Sequence, residues 1–166
     1  ARARAYDTEY SVGPDGVTIT SSMGLLAPAV QRIAALETVW HVSPAGAVHV
    51  DMTVRKDPEF PMFPRFGLRL FLDGAFDQVT YYGLGPHESY PDKHRASSHG
   101  RYSSSVPELH VDYLRPQENG IHHDCDYVIA HDDAARAIAA VGDQTFSFNA
   151  SPYTQEQLAD ARRNVD

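Results

Sequence analysis

An antiparallel β-sandwich is the fold class this sequence predicts, on three observations. Short stretches of alternating apolar and polar residues run along the chain, turn-forming Gly and Pro residues separate them, and only the last stretch has helical character. Many short strands punctuated by turns mean an antiparallel sandwich. The chain has 166 residues, enough for one domain with a buried core.

Tyr6, Thr8, Tyr10 and Val12 alternate as a half-buried strand does. Pro14-Asp15-Gly16 is turn chemistry, and β-branched Val17-Thr18-Ile19-Thr20 is the returning strand. Residues 31–43 and 47–55 flank a Pro44-Ala45-Gly46 turn and suit a hairpin, with Val48, Val50, Met52 and Val54 alternating on its second arm. The segment KDPEFPMFP has three prolines and is excluded from a central strand. RFGLRLFLD (65–73) and FDQVTYYG (76–83) read as two further strands.

Residues 81–106, YYGLGPHESYPDKHRASSHGRYSSSV, then break strand patterning and read as a loop. DYVIAHDD, RAIAAVG and QTFSFNAS are three shorter strand candidates, the second ambiguous because Ala-rich runs favour helix. TQEQLADARRNVD reads as the one helix, with Thr154 as N-cap, Gln157 closing a capping box, and Leu158 and Ala161 on one face.

Composition narrows the function classes. Apolar residues make up 42%, as in a globular chain, and the formal charge of −8 argues against nucleic acid or an acidic membrane as partner. No apolar stretch approaches the roughly 20 residues of a membrane span. The opening ARARAYDTEYSV lacks the apolar core of a signal peptide and does not begin with Met. It reads as a piece of a longer polypeptide or a processed product. Cys125 is the single cysteine, which excludes an internal disulfide and fits a cytoplasmic location.

Several side-chain groups invite a chemical reading. His122-His123-Asp124-Cys125-Asp126 contains only metal-ligand types, yet neighbours on a strand point to opposite faces and do not converge. The simpler account is a polar strand following the Asn119-Gly120 turn. Glu88, Asp92, Glu108 and Glu118 supply carboxylates, and a retaining glycosidase needs two of them about 5 Å apart. Each lies in a Pro/Gly-rich loop, where a carboxylate more often caps a turn. Ser103-Ser104-Ser105 has no nucleophile elbow around it, and Gly83-Leu84-Gly85-Pro86 lacks the Lys-Ser/Thr of a phosphate loop. Trp40 alternates like a core residue. Tyr81, Tyr82, Tyr90 and Tyr102 suit sugar stacking and core packing equally.

The block 81–120 carries a resemblance. Gly83-Leu84-Gly85-Pro86, Glu88-Ser89-Tyr90-Pro91-Asp92, Gly100-Arg101-Tyr102 and Tyr113-Leu114-Arg115-Pro116-Gln117-Glu118-Asn119-Gly120 follow one another as in the C-terminal β-sandwich domain of glycoside hydrolase family 2 β-galactosidases. Pro64-Arg65-Phe66-Gly67-Leu68 resembles the family strand before this signature. Phe146-Ser147-Phe148-Asn149-Ala150 and Tyr153-Thr154 resemble the strand and helix start after it. The first sixty residues match in pattern only.

This resemblance implies an all-β antiparallel supersandwich of the galactose-mutarotase-like type with one short C-terminal helix, spanning 1–166 as a single domain cut short at its C-terminus. It implies a parent enzyme that hydrolyses terminal β-galactosides such as lactose with retention. The family's two catalytic glutamates and its magnesium and sodium ligands sit on a separate barrel domain. No catalytic residue, substrate-binding residue, metal site or cofactor is therefore assigned to this chain, and the family's sugar-facing tryptophan is expected beyond Asp166. Partners would be the remaining domains, other subunits and, in the parent, the galactoside.

The signature residues Gly85, Pro86, Glu88, Tyr90, Pro91, Asp92, Arg101, Tyr102, Pro116, Gln117, Glu118, Asn119 and Gly120 are expected to be structural. Gly85 and Pro86 would fix a turn, and Glu88 and Asp92 would accept hydrogen bonds from loop amides or from Arg95, Arg101 or Arg115. The alternative to a scaffold role is a carbohydrate-binding module with its own galactoside site. A third and weaker reading is an autonomous epimerase-like enzyme using a histidine and a glutamate.

Overall fold

A computed structural model describes residues 2–27 and 31–163. The chain is nearly all β: two four-stranded antiparallel sheets and one short helix, the content expected of a β-sandwich. It divides into two compact units, 1–68 and 69–166.

The first unit is a meander of β1 (Arg2–Gly13), β2 (Gly16–Leu26), β3 (Arg32–Val42) and β4 (Val48–Lys56), each strand paired with its successor. The Pro14-Asp15 and Pro44-Ala45-Gly46 turns fall where turn chemistry places them. β3 follows the binary pattern, with Leu36 and Thr38 buried and Glu37 and Val39 exposed. Trp40 sits half-buried on β3 in register with Ile19 and Val50. After β4, the prolines of 57–64 keep the chain out of any sheet, and the Lys56 ammonium caps the carbonyls of Asp57 and Phe60.

The second unit holds the order β6-β5-β7-β8, from β5 (Gln78–Gly85), β6 (Ser98–Ser105), β7 (Ile121–His131) and β8 (Ala137–Asn149). A 3₁₀ turn covers Pro107–Leu109, and helix α1 spans Gln155–Asp160. The core gathers Val79, Tyr81, Leu109 and Cys125, with Tyr102, Val106, Val128, Phe148 and Ala150 against them.

Four sequence expectations are corrected. Residues 65–73 form no strand, because no ladder partner meets them among the described residues. The stretch 81–106 is only partly a loop: its first five residues complete β5 and Ser98–Ser105 is β6. Ser, His, Gly and Arg have weak strand propensity, so the pairing with β5, not local preference, makes this strand.

RAIAAVG and QTFSFNAS are one continuous strand, β8, held together by irregular pairing with β7 around Asp124, whose φ is +56°. The helix keeps its capping box, with Gln157 N–H donating to Thr154 Oγ1 and Thr154 N–H to Gln157 Oε1. It ends at Asp160 because Ala161 is already extended, so Leu158 and Ala161 do not share a helical face. Residues 164–166 of the expected helix lie outside the described residues.

Candidate functional site

The signature residues converge where β5 ends. Glu88 follows the Gly85-Pro86 peptide, which is cis, and turns its carboxylate inward, leaving the side chain 9% exposed. Its Oε2 accepts from Tyr90 Oη at 2.9 Å and from the Gly120 amide at 3.1 Å. Its Oε1 accepts from Lys93 Nζ at 2.9 Å and from Tyr113 Oη. Glu88 thus ties its own loop, through Lys93 and Tyr90, to the segment entering β7, through Tyr113 and Gly120.

Burial alone would raise the Glu88 pKa. The bonds from Tyr113, Gly120, Lys93 and Tyr90 outweigh it and hold the carboxyl at about 2. The bond that Lys93 donates to Glu88 pushes the lysine up to about 12, and burial followed by the bond to Glu88 pushes Tyr90 up to about 12.

A second set of ties lies beside the first. Buried Ser89 donates from its amide to the Ile121 carbonyl at 2.7 Å and from Oγ to the Leu84 carbonyl at 3.3 Å, while Oγ accepts the His123 amide at 2.8 Å. His122 Nδ1 bonds the same Leu84 carbonyl at 3.2 Å. Its ring packs on Tyr81 and Phe148 at centroid distances of 4.5 and 5.3 Å, and burial lowers its pKa.

Asn119 is also buried and brackets the segment before it. It accepts the Val111 amide at 2.8 Å and donates to the Val111 and Gln117 carbonyls at 2.9 and 3.0 Å. Asn149 on β8 donates to the Asn119 carbonyl at 2.5 Å. Gly120 follows at φ +72°, where a Cβ would stand 2.3 Å from the Leu109 carbonyl oxygen, so only glycine closes this turn.

The other signature residues sit around this knot. Tyr102 Oη donates to the Ser98 carbonyl at 2.9 Å, and its ring tilts against Tyr81 at 5.5 Å. Gly85 is buried beneath Tyr81 and Tyr102, while Pro86, Pro91 and Asp92 are exposed. Pro91 and Asp92 line an open hollow with Lys93 to Ala96. Arg101 is exposed on β6 in register with Tyr82, Pro116 is half-buried, and Gln117 and Glu118 are exposed.

Of the loop amides or arginines expected to donate to Glu88, the Gly120 amide does so and no arginine does; its other donors are two tyrosines and a lysine. Tyr113 and Lys93 went unassigned in sequence because nothing local marks a phenol or ammonium as aimed at a carboxylate 25 or 5 positions away. The His122–Asp126 tract splits its side chains, and no group of three or more His, Cys, Asp or Glu side chains able to hold a metal occurs among the described residues. The irregular pairing at Asp124 turns both His122 and Cys125 into the core, which strict alternation forbids. Ser104 and Ser105 bond Glu108, with Ser105 Oγ donating to Oε2 at 2.8 Å.

The geometry supports a defined chemical role. A carboxylate held ionised at about 2 by four donors has no proton to deliver near neutral pH, which a general acid requires. What it does well is fasten two chain segments. The class defined by fold and site is an all-β domain whose polar loop residues are engaged with one another.

The family model for the β-galactosidase small chain matches residues 2–166, and the chain belongs to that family. A β-galactosidase of Actinobacillus pleuropneumoniae is 34% identical over 162 residues, covering 98% of this chain and 16% of its own length. One from Staphylococcus xylosus is 33% identical over 157 residues, 95% of this chain and 16% of its own. One from Vibrio cholerae is 35% identical over 136 residues, 81% of this chain and 13% of its own. The chain thus spans about a sixth of the relatives it matches.

Proposed function

We propose that this chain is a non-catalytic domain of a retaining β-galactosidase, of the glycoside hydrolase family 2 type, that removes terminal β-D-galactose from galactosides such as lactose. Its part is packing and assembly against the parent's other domains and subunits, in the cytoplasm. The catalytic carboxylates, with magnesium and sodium, belong in this reading to a separate barrel domain. Glu88, the most enclosed carboxylate of the signature, already accepts from four donors, which supports placing the metal ligands outside this loop.

The observation that carries the reading is the Glu88 knot: the most specific residues of the family signature bond each other and leave no reactive pair. The test is Glu88→Gln in the full-length enzyme. Assembly or thermal stability should fall, while turnover per assembled active site stays within about threefold (under about 0.7 kcal/mol). A large turnover loss in a normally assembled enzyme overturns it.

One feature favours a carbohydrate-binding role as a second reading. Tyr82, 38% exposed, stacks on Tyr127 at 6.2 Å with the His99 ring edge-on at 4.8 Å, a surface on which a sugar face can lie. Titrating this chain with galactose and lactose and following amide chemical shifts separates the two. Saturable shifts around Tyr82 and Tyr127 support the binding module. A folded chain without shifts at high millimolar sugar supports the scaffold.

A further inference from the structure

His41 on β3 and His49 on β4 stand directly opposite each other in the ladder of the first unit, which puts both side chains on one face of that sheet. Among the described ladder positions this is the one pair of facing histidines. The Cβ atoms of directly opposed residues lie about 4.5–5.5 Å apart. Asp51 follows His49 by two residues and shares its face. The side chains of His49 and Asp51 are 65% and 72% exposed, and His41 is half-buried.

Each ring is anchored through one nitrogen. His41 Nδ1 lies 3.0 Å from Thr18 Oγ1 on β2. His49 Nε2 lies 3.2 Å from Asp51 Oδ2. The two nitrogens of an imidazole direct their bonds to opposite sides of the ring. Since β2 and β4 flank β3 on opposite sides, a His41 ring tied to β2 through Nδ1 turns Nε2 toward β4 and His49. A histidine that donates one ring N–H to a carboxylate or another oxygen has the form in which histidine ligates metals: the outer bond fixes the tautomer and the ring, and makes the other nitrogen more basic. Both rings have that form here, side by side.

We propose that His41 Nε2 and His49 Nδ1 together chelate a divalent transition-metal ion of the imidazole-preferring class, such as Zn²⁺, Cu²⁺ or Ni²⁺. Metal–nitrogen bonds of about 2.0–2.1 Å require the two nitrogens to close to roughly 3 Å. Side chains rooted about 5 Å apart on one face reach that separation. Among the described residues no third His, Cys, Asp or Glu side chain completes a cage, so water fills the remaining positions. Thr18 and Asp51 are positioning residues, which hold the rings through the outer nitrogens.

Histidine footprinting of the full-length protein with diethylpyrocarbonate, mapped by peptide mass spectrometry and repeated over a range of Zn²⁺ concentrations, tests the site. Zn²⁺ should slow the modification of His41 and His49 together, with one half-saturating concentration. Two imidazoles held in place bind at least about 100-fold more tightly than one. His49→Gln should therefore raise the Zn²⁺ concentration that protects His41 by at least about 100-fold. Asp51→Asn should raise the shared concentration about 10-fold or more. Mg²⁺, which prefers oxygen ligands, should protect neither residue. Separate half-saturating concentrations for the two histidines, protection of His41 that is unchanged in His49→Gln, or equal protection by Mg²⁺ overturns the site. An unchanged concentration in Asp51→Asn overturns the role given to Asp51.

Discussion

Replacing Glu88 by Gln keeps the shape of the side chain and removes its charge, so it isolates what the ionised carboxylate does for stability. The fall in its pKa from the ordinary 4.5 to about 2 corresponds, at about 1.4 kcal/mol for each tenfold change, to an upper limit near 3 kcal/mol. The carboxylate is enclosed but its Lys93 partner is 64% exposed, so solvent screening brings the expected loss to about 2 kcal/mol.

The sign with pH follows from the direction of the shift. A carboxyl whose folded pKa is depressed stabilises the fold above its unfolded value. That contribution disappears as pH falls from about 4.5 toward 2. Urea unfolding of this chain should therefore show wild type more stable than Glu88→Gln by about 2 kcal/mol at pH 7, the gap closing near pH 2. Equal stabilities at pH 7, or a gap that persists unchanged at pH 2, would refute the argument that four donors hold an ionised Glu88.

Three further outcomes are expected. Asn119→Ala leaves the Val111 amide and carbonyl and the Gln117 carbonyl without their partner, and should cost about 2–3 kcal/mol in chemical denaturation; a loss under about 0.5 kcal/mol would show that the bracket does not hold this turn. Gly83→Ala puts a Cβ 2.3 Å from Cys125 Sγ and 2.8 Å from its Cα, so β5 or β7 must shift, and the melting temperature should drop by an amount matching about 1–3 kcal/mol. Cys125 is fully buried, and burial followed by Asp124 and Asp126 pushes its thiol up to about 12. A thiol reagent at pH 8 should therefore label native protein at least about 100-fold more slowly than urea-unfolded protein, and comparable rates would mean that the core around Cys125 opens freely.

The hairpins β1-β2 and β3-β4 were legible in sequence because their signals are local: Pro-Asp-Gly and Pro-Ala-Gly turns between alternating runs; the β2-β3 pairing that joins them into one sheet has no such signal. The capping box of α1 was legible for the same reason, since Thr154 and Gln157 lie one helical turn apart. β6 was hidden because its residues apart from Tyr102 have little strand preference of their own, and the ladder with β5 overrides that. The inward turn of both His122 and Cys125 was hidden because one residue at positive φ breaks the two-residue period on which the expectation rested. The signature block marked the candidate site, yet the donors to Glu88 depend on segments 25 and 32 positions apart meeting in space. Residues 65–73 reverse the case, with an unmistakable strand pattern and no strand.

The two sheets differ in when they can be completed during synthesis. Every neighbour in the first is the next strand along, so each hairpin closes as soon as its second arm leaves the ribosome. β5 cannot gain both neighbours until β7 is made, because Gln78 pairs with His131, about fifty residues later, and such long-range closure is slow. Until then Val79 and Tyr81 stand uncovered on a nascent hairpin that has only β6 beside it. In that interval the apolar side of β5 is the kind of transiently exposed surface on which partly folded chains associate.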